Sequence, residues 1–397
     1  MKAKTSNKGR PKSSRQLSVV GLFAGIGGIE LGLERAGHTT ELLCEIDPVA
    51  SAVLEMNFDD QPIHGDVSTL QNIPKVDMIT AGFPCQDISL AGTRAGLRGS
   101  RSGLISEVFR LVDANRPEFV LLENVQHLLK LAKGAHLGAI LTEFEDLDYR
   151  WAYRVVDTRG FGLPQRRQRV IILASRGEID PGAVLFSQHV EPDFDDTIGP
   201  LEAGHTYGFY WTEGKRGVGW ARDAVPPIKG GSSLGIPSPP ALFDPVLAIA
   251  STPTIRDAER LQGFEPDWTD VTLNDKPVKL GQRWKMVGNA VSVPVAEWIG
   301  RAIASSGEPA DACMVTSLDG KRAWPSAAAG DRNGRHAVRI STHVERASHE
   351  PIHKFLIEPM KPLSKRALTG YVNRARTGTK RFPEGFIEAL EAQALAY

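Results

Sequence analysis

Ser18-Val19-Val20-Gly21-Leu22-Phe23-Ala24-Gly25-Ile26-Gly27-Gly28-Ile29-Glu30 is the stretch that decides the fold. An apolar run passes straight into three glycines and then into a segment of helical period at residues 29–36. That order predicts a strand, a tight turn and a helix. Glycines at such a turn let the backbone approach a nucleotide-like ligand closely. The strand signal repeats at Glu41-Leu42-Leu43-Cys44-Glu45, Val76-Asp77-Met78-Ile79-Thr80, Phe119-Val120-Leu121-Leu122-Glu123, Arg154-Val155-Val156-Asp157 and Val170-Ile171-Ile172-Leu173. Several of these runs are apolar at successive positions, as a sheet covered on both faces requires. Helical patterns at 48–56, 106–114 and 137–147 fall between them. Alternation of this kind predicts a doubly wound α/β domain.

Beyond residue 187 the texture changes to dense Gly and Pro with interleaved aromatics, among them Tyr207, Phe209, Tyr210, Trp211 and Trp220. This composition predicts a smaller, loop-rich folded module rather than a bare linker. Helical period returns at 255–261 and 293–303, and the polar tail from 306 to 397 carries one more helical pattern at 386–395. The role of that tail is open.

The 397 residues, 41% hydrophobic and 24% charged, suit a globular protein of more than one domain. Three cysteines, Cys44, Cys85 and Cys313, with no C-x-x-C pair, support neither a disulfide framework nor a structural zinc site, and no metal is expected. A reducing cytosol fits, and no signal peptide or long apolar run argues for export or membrane insertion. The formal net charge of zero argues against a generic nucleic-acid coat, but the charge is unevenly spread. Lys2, Lys4, Lys8, Arg10, Lys12 and Arg15 make residues 1–16 a basic arm, expected to be disordered. A second acid-free run holds Lys361, Lys365, Arg366, Arg374, Arg376, Lys380 and Arg381, and either run can touch phosphates.

Glu45 ends the second strand pattern about twenty residues after Gly25, the spacing of a ribose-binding carboxylate. Together these features predict a cofactor with an adenosine half. Glu30 replaces the third glycine of G-x-G-x-x-G, so a nucleoside cofactor without a diphosphate fits better. Cys85, in Ala81-Gly82-Phe83-Pro84-Cys85-Gln86, follows the third strand pattern, which Pro84 stops. The thiol is either a small buried hydrophobe or a nucleophile at a ligand-binding sheet edge. Glu123-Asn124-Val125 ends the next strand at the same edge, as an acid and base partner to Cys85 or as a helix cap. In Gln165-Arg166-Arg167-Gln168-Arg169, alternate residues of an extended segment share a face. Arg167 and Arg169 are thus expected to converge on a site while Arg166 turns away, unless the run is a solvated edge.

These motifs, in this order over residues 19–303, resemble the DNA (cytosine-5) methyltransferases of bacterial restriction-modification systems. The resemblance implies a Rossmann-like, S-adenosylmethionine-dependent methyltransferase domain at residues 17–186, completed by 280–305, and a target-recognition domain at 187–279. It further implies cofactor contacts from Phe23, Gly25, Gly27, Glu45, Ile46, Asp66, Val67, Pro84, Leu104, Asn289 and Ala290. Phe23 would stack on the adenine, Glu45 hold the ribose and Asp66 read the adenine amine. A tryptophan is usual where this chain has Ile46. Cys85 would be the nucleophile towards carbon 6 of a flipped cytosine, with Glu123 holding the base and Arg167, aided by Arg169, stabilising the adduct. Gln86, Ser89, Arg94, Arg98 and Gln165 would meet DNA, the first four on a glycine- and arginine-rich loop at 86–101 that closes over phosphates. Arg256 to Phe264 resembles the motif that brackets the recognition module. Implied partners are duplex DNA and a cognate restriction endonuclease, for a monomer in the cytoplasm at the nucleoid. A transfer-RNA cytosine methyltransferase, a non-catalytic DNA-binding relative and a nicotinamide dehydrogenase are the alternatives. The Cys-Phe-Thr run of the first of these is absent, Cys85 and the glycine loop argue against the second, and the missing third glycine argues against the third.

Overall fold

The computed structural model describes residues 15–58, 60–83, 103–193, 197–215, 219–231, 239–305, 314–318 and 323–397. Strands β1 (Ser18–Leu22), β2 (Thr39–Cys44), β3 (Ile63–His64), β4 (Met78–Gly82) and β5 (Phe119–Val125) pair in parallel. Strands β6 (Arg150–Asp157) and β7 (Gln168–Ser175) complete the order β3-β2-β1-β4-β5-β7-β6, with β7 antiparallel to both β5 and β6. The α/β, Rossmann-like expectation therefore holds, with β7 reversed within the sheet. β6 and β7 are joined through a short turn at Thr158–Phe161, and a connection that short makes an antiparallel pair.

Helices α1 (Gly28–Arg35), α2 (Pro48–Asn57), α3 (Leu104–Asn115), α4 (Ala135–Asp146) and α5 (Pro181–Leu185) follow the strands. α2 starts where its sequence says it should: Asp47 caps it, its carboxylate accepting from the N–H groups of Val49 and Ala50, with Pro48 in the first turn. α6 (Ile255–Arg260) and α7 (Leu280–Asn289) come late, and α8 (Val293–Ser305) returns against α1. A Cβ on Gly32 would lie 2.5 Å from the Val293 carbonyl oxygen, so only glycine permits this close approach of α1 and α8. α3 and α4 cover one face of the sheet, and α1, α5 and α8 the other.

A second sheet is built from β8 (Tyr207–Phe209), β9 (Trp220–Arg222), β10 (Ala241–Asp244) and β11 (Ile249–Thr252). β12 (Thr272–Leu273) and β13 (Lys276–Pro277) form a small hairpin. The tail contributes to both sheets. β14 (Met314–Ser317), β15 (Ala327–Asp331) and β16 (Gly334–Arg339) extend the first sheet beyond β6 to ten strands. After α9 (Ile352–Phe355), β17 (Lys361–Pro362) joins β11, and α10 (Lys365–Arg376) and α11 (Phe386–Leu395) cover the second sheet. Phe386, fully buried, meets the rings of Tyr207, Phe209, Phe243 and Phe382. Arg154, also fully buried, ties the tail to the first domain by donating to the carbonyls of Ser341 at 2.6 Å and His343 at 3.1 Å.

Packing thus cuts across the boundaries expected at 279 and 306. Residues 255–293 pack with Ile26, Val49 and Val53 of the first domain, while 361–395 close the second. Arg15, expected in a disordered arm, is docked: its Nη1 donates to Glu118 Oε1 at 2.8 Å. Residues 1–14 and the loop at 86–101 lie outside the described residues. Among the described residues, no helix is long and apolar enough to cross a membrane.

Candidate active site

The carboxyl ends of β1, β2, β4 and β5 open into a cavity of about 670 Å³, closed on the far side by residues 227–230 and 286–291. Register explains the convergence. Gly82 pairs with Glu123, and Leu22 with both Cys44 and Ala81, so the residues following these positions emerge side by side. Ligands collect at such an edge in open α/β sheets.

One half of the cavity is built for a nucleoside. Phe23 (φ 53) and Gly25 (φ 57) hold left-handed backbone, which turns the chain sharply from β1 into α1. A Cβ on Gly25 would meet nothing within 4 Å, so its φ rather than crowding calls for glycine there. The Gly25 N–H donates to Glu45 Oε2 at 2.7 Å, and the Asp47 N–H to Glu45 Oε1 at 2.8 Å. The carboxylate is fixed in place while retaining free lone pairs. Burial pushes its pKa up, against the pull of those N–H donors. Asp66 is held below the usual carboxylate range by the Ser68 N–H, 2.9 Å away, and hydroxyl, 2.8 Å away, so it is ionised at neutral pH. Ile46, Val67 and Leu104 supply apolar wall, with Ile46 70% exposed. Two fixed carboxylates beside apolar walls form the acceptor set that ribose hydroxyls and an adenine amine require, so these residues fit an adenosine-bearing cofactor.

The other half holds a buried carboxyl–guanidinium pair. Glu123, 8% exposed, lies 2.9 Å from Nε of Arg169. Burial pushes the Glu123 carboxyl up more than the Arg169 and Arg167 charges pull it down. Asn124 donates to the Phe83 carbonyl at 2.9 Å, which ties the end of β5 to the residue immediately before Pro84. Cys85, Pro84, Gln86, Ser89, Arg94 and Arg98 lie outside the described residues. Cys44 also lines the cavity, but burial and then the Glu45 and Asp66 carboxylates push its thiol up to about 12, which rules it out as a thiolate at neutral pH.

Three expectations are corrected. Arg167 and Arg169 do converge on the cavity, but Arg167 is spent on structure. Its Nη1 donates to the Ile228 carbonyl at 2.9 Å, and its Nη2 to those of Gly288 at 3.2 Å and Ala290 at 2.6 Å. The place beside Glu123 belongs to Arg169. Gln165, expected to meet DNA, is fully buried. Its Oε1 accepts from the Ile228 N–H at 2.8 Å, and its Nε2 donates to the Leu261 carbonyl at 2.9 Å. Gln262 extends this network, accepting from Ser292 at 2.6 Å and donating to Val287 at 2.8 Å. Gly27 does not line the cavity: a Cβ there would lie 2.2 Å from the Phe58 ring, so its role is packing. Asn289 and Ala290 line the cavity as expected.

Sequence reasoning missed Tyr210 and Lys229. Tyr210 donates to the Pro227 carbonyl at 2.6 Å, and the Lys229 ammonium sits 4.1 Å from the centre of its ring while pairing with Glu213 at 3.1 Å. The signal available was the aromatic cluster at 207–211 and the double glycine after Lys229. A Cβ on Gly230 would lie 2.0 Å from Asn289 Oδ1, so glycine lets this segment close the wall.

The chain is similar to known proteins over most of its length. The family profile of the C-5 cytosine-specific DNA methylases matches residues 17–202. The chain is 49% identical to the Type II methyltransferase M2.BsuMI of Bacillus subtilis (strain 168), over 94% of this chain and 97% of that protein. It is 31% identical to the Type II methyltransferase M.NgoBI of Neisseria gonorrhoeae, over 70% of this chain and 90% of that protein. Among solved structures, the S. pombe Dnmt2 methyltransferase shares the fold at a TM-score of 0.50 and 17% identity, over 71% of this chain and 97% of its own.

Proposed function

This chain belongs to the C-5 cytosine-specific DNA methylase family, as a DNA cytosine-5 methyltransferase of the Type II restriction-modification kind, and from that premise we propose how its residues perform the reaction. Phe23, Gly25, Glu45, Ile46, Asp66, Val67, Leu104, Asn289 and Ala290 hold S-adenosylmethionine. When bound, that cofactor supplies an electrophilic methyl group. The observation that carries the reading is that one cavity contains both the fixed Glu45 and Asp66 carboxylates and the Glu123–Arg169 pair.

Carbon 5 of cytosine is a weak nucleophile. The Cys85 thiolate adds to carbon 6, and the ring electrons shift towards carbon 5. Glu123, its carboxyl raised by burial, donates to ring nitrogen 3 and accepts from the exocyclic amine, which stabilises the negative charge developing on the ring. Arg169 orients Glu123, and its guanidinium donates to the carbonyl oxygen on carbon 2 of the base. Carbon 5 takes the methyl group, whose bond to the cofactor sulfur breaks to leave a neutral thioether. A base then takes the carbon 5 proton, and the electron pair of that bond re-forms the 5,6 double bond as the Cys85–carbon 6 bond breaks to release the thiolate. A stacked base is out of reach of this site, so the cytosine is flipped out at a cost of roughly a few kcal/mol. The second sheet, with α10 and α11, selects the sequence, and the modification protects DNA from a cognate restriction endonuclease.

Bisulfite sequencing of DNA from cells expressing the chain tests this. One short sequence should be protected from conversion, and Glu123→Gln should abolish the protection. Protection unchanged in Glu123→Gln would overturn the assignment.

A further inference from the structure

Strand register sets which end of the second sheet faces the cavity. Phe209 immediately precedes the cavity-lining Tyr210 and pairs with Ala241 and Trp220, which mark the near end. Tyr207, Phe243 and Arg222 mark the far end. α10 starts at the far end, just after Leu363, whose N–H donates to the carbonyl of Ala250, the partner of Phe243. It finishes at the near end. There Arg374 donates to the carbonyls of Trp211 at 2.6 Å and Glu213 at 2.9 Å, and Trp220 donates to the Arg381 carbonyl at 3.1 Å. A Cβ on Gly378 would lie 3.0 Å from the Lys215 carbonyl oxygen, so the turn after α10 packs directly on the loop that leaves Tyr210.

The acid-free run is thereby delivered to the edge of the target-base cavity. Lys215, Lys380 and Arg381 are exposed there and form no ion pair among the described residues, whereas Arg376 pairs with Glu391 at 2.5 Å. We propose that Lys215, Lys380 and Arg381 form a backbone-binding ridge, contacting phosphates of the substrate duplex beside the methylated base. This proposal rests on the reading of the chain as a DNA methyltransferase. A duplex whose base enters the cavity must run past this end of the sheet, and it carries one negative charge per about 1.7 Å of axis. Contacts of this kind fix register on the duplex and carry no base code.

The test is the salt dependence of binding, read by fluorescence anisotropy of a labelled mixed-sequence duplex with the full-length chain between about 50 and 200 mM salt. K380Q/R381Q removes two cations from the ridge while keeping the backbone bond from Trp220, and K365Q/R366Q removes two exposed cations from the far end of the same helix. The slope of log affinity on log salt should become shallower by about 1.8 in the first variant, from about 0.9 per lost phosphate contact, and keep the unaltered value in the second. A slope unchanged in K380Q/R381Q overturns the ridge, as does an equal change in both variants. Failure of the unaltered chain to bind any duplex is a different result, which overturns the function itself and the ridge with it.

Discussion

The two sheets of this molecule are assembled by opposite logic. β1 to β5 of the first come from one continuous stretch, and β1, β2, β4 and β5 are each apolar enough to declare themselves, only the two-residue β3 going unread. The second takes four strands from 207–252 and closes its core with β17, α10 and α11 from 361–395. Its strands are two to four residues long, and their aromatic partners lie more than a hundred residues away. A catalytic sheet made of contiguous chain tolerates reading piece by piece. A module closed by distant chain does not, and its tail is part of its core.

The comparison breaks most visibly if the tail is removed. Ending the chain after Ser305 strips Phe386, Tyr371 and Leu390 from the aromatic core of the second sheet. Near-UV circular dichroism should show loss of that module, with DNA binding lost as well. A single change, Phe386→Ala, should cost about 3–5 kcal/mol in chemical denaturation. A truncated chain with its full aromatic signal would show that the second sheet folds without the tail.

A smaller effect separates the two arginines. Arg169→Ala should lower single-turnover methylation by about 10²- to 10⁴-fold with little change in stability. Arg167→Ala should instead destabilise the fold by about 3 kcal/mol or more, because it strands three buried carbonyls. Reversed phenotypes would return the catalytic role to Arg167.

Glu30 sharpens the account of the first sheet. It is 1% exposed, accepts from the Thr80 hydroxyl at 2.8 Å, and is pushed by burial from the ordinary 4.5 to about 7. A folded pKa above the unfolded one means that the protonated form stabilises the fold. That stability is present below the ordinary value and is lost as the pH rises through about 7, by about 3 kcal/mol in total. Thermal melting from about pH 4 to about pH 8, bracketing the ordinary value and the raised one, should show the decline, and Glu30→Gln should flatten it. A variant as pH-sensitive as the unaltered chain would contradict this placement.

The smallest effect concerns the cofactor half of the cavity. Asp66→Asn should weaken S-adenosylmethionine binding about 5- to 30-fold by calorimetry, the loss of one charge-assisted hydrogen bond. Undiminished affinity would remove Asp66 from the site.

Much of the site was legible because its residues sit at strand ends, where one turn of sequence fixes both position and exposure. Phe23, Gly25, Glu45, Asp66, Glu123 and Arg169 all reach the one cavity. Alternation along an extended segment correctly brought Arg167 and Arg169 to it as well. What it could not tell is which guanidinium is free, because the carbonyls that take Arg167 belong to residues 228, 288 and 290. Gln165 was misread for the same reason, since its partners are Ile228, Leu261 and Gln262. α10 went unread because its buried face is only Leu368, Tyr371, Val372 and Ala375 amid a run of cations. The tail strands β15 and β16 are Ala-, Gly- and Arg-rich, and β15 finds its partner, β6, far upstream while β16 pairs with β15.

The nucleophile proposed for the reaction is Cys85. Its most direct test is incubation with S-adenosylmethionine and duplex DNA carrying 5-fluorocytosine, from which carbon 5 cannot shed a proton. A denaturation-resistant protein–DNA complex should form, with the adduct mapped by mass spectrometry to Cys85 and absent in Cys85→Ala. An adduct of equal yield in Cys85→Ala, or none with the unaltered chain on DNA that it methylates, would contradict the account.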